Sequence, residues 1–341
     1  MKLNHKSNYP IRLYWGENYA PKPPAAKRAL GRAFKQALDT AHLYPGELLT
    51  ETVEALAKIY GVTDNQIFIG AGIEGILKEI FPVFLSPGDS IITLSPTFSV
   101  YEHNANALGV SVVHIPVNFN TQIMAKEILA IVTQQTKLIV IASPNPQTGI
   151  YHIDIKEFTT ILSSFSGLMI VDECYFQIGK KTVLPLLKKF DNLMVLRSAS
   201  KNWGLAGVRF GFALGSPAAI QMLTSHTISL APDPLPTVSY LSVLAILPYR
   251  SKIAHTFVSF RDKFGALLSR IQGLSVYPTD TTFLPVVLLN SKNITSFVSL
   301  MEKHNIFLKD TQSLGYLLVG VPPEKDWNYV LSCFQYELTL L

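Results

Sequence analysis

Lys201 carries beside it the groups that carbonyl chemistry at an amine requires. It lies in Leu193-Met-Val-Leu-Arg-Ser-Ala-Ser-Lys201-Asn-Trp-Gly-Leu-Ala-Gly-Val-Arg209. The apolar run at its start reads as a buried strand. Gly204 and Gly207 open the backbone just after the lysine. An ammonium is costly to bury, so a lysine between a buried strand and a glycine-punctuated turn calls for a reason. Ser198 and Ser200, with one or two guanidiniums from Arg197 and Arg209, make a seat for a phosphate. A lysine beside such a seat suits a cofactor bearing both a phosphate and an aldehyde. Pyridoxal phosphate, held as a Schiff base, fits that description.

That cofactor needs four further things, and the chain has a candidate for each. A carboxylate must keep the pyridine nitrogen protonated, and Asp172 closes the apolar run Gly167–Val171. Tyr175 and Asn145 are placed to donate to the phenolate oxygen. Gly72 and Ile73, at a glycine-rich helix start, offer backbone N–H groups to the phosphate alongside Ser198, Ser200 and Arg209. Phe98 can cover the ring face.

These residues demand a frame that puts them at one edge. Apolar strands are expected near 91–94, 110–115, 137–142, 167–171 and 193–196, with helices at 76–84, 98–108, 124–132 and 155–165 between them. Such alternation predicts a mostly parallel sheet covered by helices on both faces. Ligands of such sheets sit beyond the C-terminal strand ends, where Asn145, Asp172, Tyr175 and Lys201 fall. After Pro232-Asp-Pro-Leu-Pro236 the pattern changes. Helix is expected from 237 to 271 with a break near Pro248, then strands near 283–289, 306–309 and 316–321, with helices at 294–304 and 327–338. This predicts a large cofactor-binding domain over 40–240 and a smaller α+β domain from 1–39 and 241–341.

Gly70, Gly72 and Gly75 also match G-x-G-x-x-G between a strand and a helix. A dinucleotide site would need an acid after the next strand, whereas Asp89 precedes it. The glycines therefore serve a phosphate without implying a nicotinamide.

Composition agrees. The 341 residues are 48% hydrophobic and 16% charged, enough for a large core. The net charge of +5 is spread along the chain, with no basic arm to suggest nucleic acid. Two cysteines make neither a disulfide framework nor a metal cluster. No apolar run is long enough to span a membrane and no signal core opens the sequence. The expectation is a soluble cytoplasmic protein.

The lysine motif, with Val171-Asp-Glu-Cys-Tyr175, Ser95-Pro-Thr-Phe98-Ser-Val-Tyr101 and Leu43-Tyr44-Pro-Gly, resembles the fold-type I pyridoxal-phosphate enzymes of the class I/II aminotransferase group, and most their histidinol-phosphate aminotransferase branch. The resemblance spans nearly the whole chain. It implies a homodimer with shared active sites, in which Tyr44 reaches the cofactor phosphate of the partner subunit. It also implies that Gly16-Glu17-Asn18 forms the lip of the substrate site. Three departures stand out. The loop reads Asn145-Pro-Gln-Thr-Gly149, one residue longer than the family's Asn-Pro-Thr-Gly. The lip lacks the family's first asparagine and its proline, which is Tyr19 here. Tyr316 stands where the family carries the arginine that clamps the substrate carboxylate, and no arginine follows Arg270. Lys309 lies where the branch holds the distal phosphate of its substrate.

The resemblance implies an aminotransferase of amino-acid biosynthesis acting on a small amino acid or derived amine. Lys201 would form the Schiff base and shuttle the proton, and Asn18, Lys309 and Tyr316 would meet the substrate. The altered clamp keeps open a decarboxylase or a lyase or cyclase of the same family, similar to threonine-phosphate decarboxylases. A cofactor-binding protein without turnover is the third reading.

Overall fold

The computed structural model describes residues 9–227, 235–289 and 293–339. In chain order its strands are β1 (Ile11–Arg12), β2 (Ile67–Gly70), β3 (Ser90–Ser95), β4 (Ser111–Pro116), β5 (Thr136–Ala142), β6 (Leu168–Asp172), β7 (Leu193–Ser198), β8 (Gly211–Gly215), β9 (Leu274–Val276), β10 (Phe283–Leu288), β11 (Ile306–Phe307) and β12 (Leu317–Gly320).

Seven of them form one sheet in the order β2-β8-β7-β6-β5-β3-β4. Neighbours from β7 to β4 run parallel, while β8 is antiparallel to both β7 and β2. The sheet is mostly parallel, as the alternating pattern predicts. The apolar run after Arg209 did not reveal that β8 runs backwards. Its direction follows from the short Lys201 turn, too brief for a crossover helix.

Both sheet faces are buried, which is why the strands read as continuous apolar runs. Ile92, Ile139, Ile141, Val171 and Val195 point to one side, in a cluster with Ala26, Leu56 and Phe158. These come from the helices Pro24–Asp39, Gly46–Tyr60 and Ile155–Ser164. Ile91, Leu138, Val140, Ile170 and Met194 point to the other, against Ile76, Ile80, Tyr101 and Leu223. Those belong to the helices Gly72–Phe84, Val100–Ala107 and Pro217–His226. The helix Pro217–His226 has no counterpart among the expected elements. Pro24 takes the first position of its helix, where no N–H is needed.

A second core gathers Phe257, Phe264, Phe297, Trp327 and Phe334. It lies between the antiparallel sheet β12-β10-β9 and the helices Arg250–Leu268, Ile294–Glu302 and Trp327–Leu338. β9 was missed, being only three residues long. The break near Pro248 is a short 3-10 turn, Leu247–Tyr249, between the helices Pro236–Ile246 and Arg250–Leu268. β1 pairs in parallel with β11, tying the N-terminal segment to this core. Most of the proline-rich stretch from Pro232 lies outside the described residues. No helix among the described residues is long and apolar enough to cross a membrane.

Candidate functional site

Sheet register builds the first corner. Gly211 of β8 faces Ser198 on one side and Gly70 on the other. The end of β7, the start of the helix Gly72–Phe84 and Arg209 therefore meet. They meet closely. A Cβ on Gly211 would lie 2.7 Å from the carbonyl carbon of Gly72, and one on Gly72 would lie 3.0 Å from Arg209 Nη2. Gly72 also has φ +71°, which a side chain would resist. No side chain caps this helix, so its first-turn N–H groups remain donors for an anion. Ser198 Oγ accepts from the Ser200 N–H at 3.0 Å and donates to Ser200 Oγ at 3.0 Å. Arg209 Nη2 is 3.4 Å from Glu74 Oε2, a partly exposed pair that leaves the guanidinium other donors.

Lys201 lies in the one-turn helix Ala199–Asn202 that follows β7. Its ammonium donates to Trp15 O and to Gly16 O, the latter at 3.3 Å. Burial lowers its pKa, the direction that favours the nucleophilic amine. Asn18 Nδ2 donates to Lys201 O at 2.9 Å, while Asn18 Oδ1 accepts from Ala20 N–H at 3.1 Å. The N-terminal lip thus folds directly over the lysine turn.

Asp172 ends β6 and is buried. Its Oδ1 accepts from the Cys174 N–H at 2.9 Å, and its Oδ2 accepts from Tyr101 OH at 2.7 Å. Burial raises its pKa to about 6, against the pull of these donors. The Cys174 thiol is pushed up to about 12, chiefly by burial and then by Asp172, while Lys201 and Arg209 pull it down. All four groups therefore share one neighbourhood. Tyr175 is buried three residues after Asp172, at the head of the short helix Phe176–Gly179. Asn145 Nδ2 donates to Pro96 O at 2.8 Å, and its Oδ1 accepts from Gln147 N–H at 2.8 Å. This locks the Asn145 loop to the turn that carries Phe98, whose ring meets Tyr101 edge-on at 5.6 Å.

Tyr101 belongs to the Ser95–Tyr101 motif, but its bond to Asp172 is not evident from the sequence. The available signal was its spacing: it lies one helical turn after Phe98. Arg197 corrects the reading of the phosphate seat. It points to the opposite face of β7 from Ser198, where it is fully buried against Glu173 with Nη2–Oε2 2.7 Å. Its guanidinium lies 3.5 Å from the Phe176 ring centroid. Period-two alternation along a strand separates it from the serines.

Tyr44, expected at the partner's cofactor, and the expected substrate residues Lys309 and Tyr316 lie on separate elements. Tyr44 is 87% exposed on the turn between the helices Pro24–Asp39 and Gly46–Tyr60. Lys309 is exposed two residues beyond β11. Tyr316 is buried, and its hydroxyl donates to Gln147 O at 3.2 Å.

The sequence profile of aminotransferase class I and II matches residues 10–323. The chain belongs to this family. A histidinol-phosphate aminotransferase of Microcystis aeruginosa is 26% identical over 325 residues, covering 93% of this chain and 90% of that one. Another, from Dehalococcoides mccartyi, is 31% identical over 83% of this chain and 77% of its own. Among solved structures, histidinol-phosphate aminotransferase from Sinorhizobium meliloti in complex with pyridoxal-5'-phosphate aligns with TM-score 0.85 at 20% identity, over 98% of this chain and 92% of that one. L-threonine-O-3-phosphate decarboxylase from Porphyromonas gingivalis aligns with TM-score 0.78 at 18% identity, over 96% and 99%. The fold is that of the fold-type I enzymes. The chain is a pyridoxal-phosphate-dependent aminotransferase of the histidinol-phosphate aminotransferase-like branch.

The residues fit the cofactor of this aminotransferase. The close approach at Gly72 and Gly211 leaves helix N–H groups and Arg209 facing one small corner, which suits a phosphate. Asp172 is a buried carboxyl with neutral hydrogen-bond donors, and a protonated ring nitrogen would supply its counter-charge.

Proposed function

We propose that this aminotransferase works through Lys201, with Asp172, Tyr175, Asn145, Phe98 and the Gly72–Arg209 corner holding the cofactor. The observation that carries the reading is a half-buried lysine that directly follows Ser198 and Ser200 at the end of β7, with the buried Asp172 at the end of the neighbouring strand β6. When bound, pyridoxal phosphate supplies an electron sink for the bonds at the substrate's amine-bearing carbon. Asp172 holds a proton on the ring nitrogen. Tyr175 and Asn145 donate to the phenolate oxygen, and Phe98 covers one ring face. Ile73 N–H, Ser198, Ser200 and Arg209 hold the phosphate. Lys201 would hold the cofactor aldehyde, and its free amine would take the proton from the substrate's amine-bearing carbon. The lip around Asn18 covers the lysine and excludes water.

The relatives are named for histidinol phosphate, yet Tyr316 in place of the clamping arginine marks an altered substrate site, which Asn18, Lys309 and Tyr316 would line. We assign the cofactor domain to 40–240 and the small domain to 1–39 with 241–341; the core around Phe257, Phe297 and Phe334 supports a second domain, although Ala26, Leu30, Val243 and Ile246 pack with the large sheet. A homodimer is supported by the exposed apolar strip of Phe34, Leu38, Leu43 and Tyr44, with Tyr44 reaching the partner's phosphate site. A cytoplasmic enzyme without nucleic-acid or membrane partners completes the reading.

Purified protein should be yellow, and borohydride should fix the cofactor on Lys201, read by peptide mapping. Donor amines should then convert the bound cofactor to its pyridoxamine form. Protein that stays colourless with added cofactor defeats the assignment. Tyr316 also favours a second reading, decarboxylation. Carbon dioxide release without pyridoxamine would establish that instead.

A further inference from the structure

Tyr316 does more than leave a gap where the resemblance places a guanidinium. Its ring lies 4.5 Å from Phe119, which stacks on Tyr277 at 4.6 Å and 11°. Its only hydroxyl proton is donated to Gln147 O, which leaves the oxygen lone pairs alone for a further partner. Gln147 Nε2 donates to Thr97 O at 3.1 Å, which fixes the amide's orientation. Gln147 Oε1 is buried and has no hydrogen-bond partner, as is Thr97 Oγ1. This corner adjoins the cofactor groups, since Gln147 N–H caps Asn145 and Thr97 precedes Phe98. It is made of two phenol rings, a phenyl ring, an amide and a hydroxyl. None of them carries a positive charge, and burial keeps the Tyr316 phenol neutral by raising its pKa to about 12.

We infer that both partners of the amino exchange bear a neutral, hydrogen-bonding substituent, such as a hydroxymethyl group, where α-amino and α-keto acids bear a carboxylate. This rests on the aminotransferase reading. The donor's C–N bond is exchanged for a C=O bond with water. Its nitrogen and electron pair pass through the cofactor to a carbonyl acceptor, whose C=O becomes C–NH2 and returns the water. The exchange needs no outside oxidant. A carboxylate placed here would meet no cation among the side chains of this corner and would face the Tyr316 lone pairs, which is unfavourable. A hydroxyl would instead donate to those lone pairs.

The test uses the yellow holoenzyme and matched pairs: leucinol with leucine, phenylalaninol with phenylalanine, and histidinol with histidine. Spectral titration of the bound cofactor gives a dissociation constant for each, and stopped flow gives the rate of its conversion. Within each responsive pair the amino alcohol should bind more tightly, by at least about 100-fold, the lower bound for two lost charge-assisted bonds. Tyr316→Arg should reverse that preference, while Tyr316→Phe should keep amino acids weak. Equal or tighter binding of the amino acids by the wild type overturns the inference and leaves the aminotransferase intact. So does silence from every pair in both the wild type and Tyr316→Arg. A colourless protein would instead sink the aminotransferase reading beneath it.

Discussion

Tyr101 donates its hydroxyl proton to Asp172 Oδ2 at 2.7 Å, and both side chains are buried. The two residues are 71 apart in sequence and come from a helix and a strand end. Asp172's other oxygen is held by the Cys174 N–H, so the carboxylate is pinned in one orientation. A hydrogen bond to a charged group is worth about 1.5–3 kcal/mol. Tyr101→Phe should therefore weaken cofactor binding by roughly 10- to 100-fold. Its Asp172 should also be harder to ionise, moving the acid limb of cofactor binding to higher pH. Absorbance titrations across pH 5–8 measure both. Unchanged affinity and an unchanged acid limb would show the bond to be idle.

Asp172 itself makes a prediction about the protein without cofactor. Its folded pKa of about 6 lies above the ordinary 3.8. A carboxyl with a raised pKa stabilises the fold fully below the ordinary value, and that contribution fades as pH rises through 6. The difference amounts to about 3 kcal/mol. Asp172→Asn should thus raise the Tm of the cofactor-free protein at pH 8 and have little effect at pH 4. It should bind cofactor much more weakly, because no anion then holds the ring proton. Thermal scans with and without cofactor should show opposite signs.

Much of this candidate site is legible in the sequence, because Lys201, Asp172, Asn145 and Phe98 each follow an apolar run. A strand end is a place that hydrophobic patterning can locate. What escaped depended on tertiary approach. The Tyr101–Asp172 bond needs a helix of one face to meet a strand end, and nothing in either segment reports the other. Asn18's bond to Lys201 O spans 183 residues. The backward course of β8 leaves no trace in its apolar pattern. Arg197 is different, since counting by twos from Ser198 already sends it to the other face.

The phosphate corner depends on backbone contact, so adding one methyl group should open it. In Gly211→Ala the new Cβ would sit 2.7 Å from the Gly72 carbonyl carbon and 2.8 Å from its Cα, both backbone atoms that must move. The helix start would shift away from Ser198 and Arg209. Affinity for pyridoxal phosphate should fall by at least about 10-fold, whereas pyridoxal lacking the phosphate should bind with little change. Equal losses for both would place the damage outside the phosphate seat.

Arg197 and Glu173 are buried at 2% and 1% side-chain exposure and share a 2.7 Å contact. Glu173 also accepts from Thr182 Oγ1 at 2.8 Å and from the Val183 N–H at 2.6 Å, so its carboxylate ties β6 and β7 to the 182–183 loop. Glu173→Gln keeps the shape but leaves a buried guanidinium without its anion. That should cost about 3–5 kcal/mol, seen as a Tm lower by on the order of 10 °C. Adding Arg197→Met to Glu173→Gln removes the stranded charge and should recover most of the loss. If Arg197 faces away from the phosphate corner in solution as well, the double variant should bind pyridoxal phosphate as tightly as the wild type. A selective loss of phosphate affinity would return Arg197 to the seat beside Ser198 and Arg209.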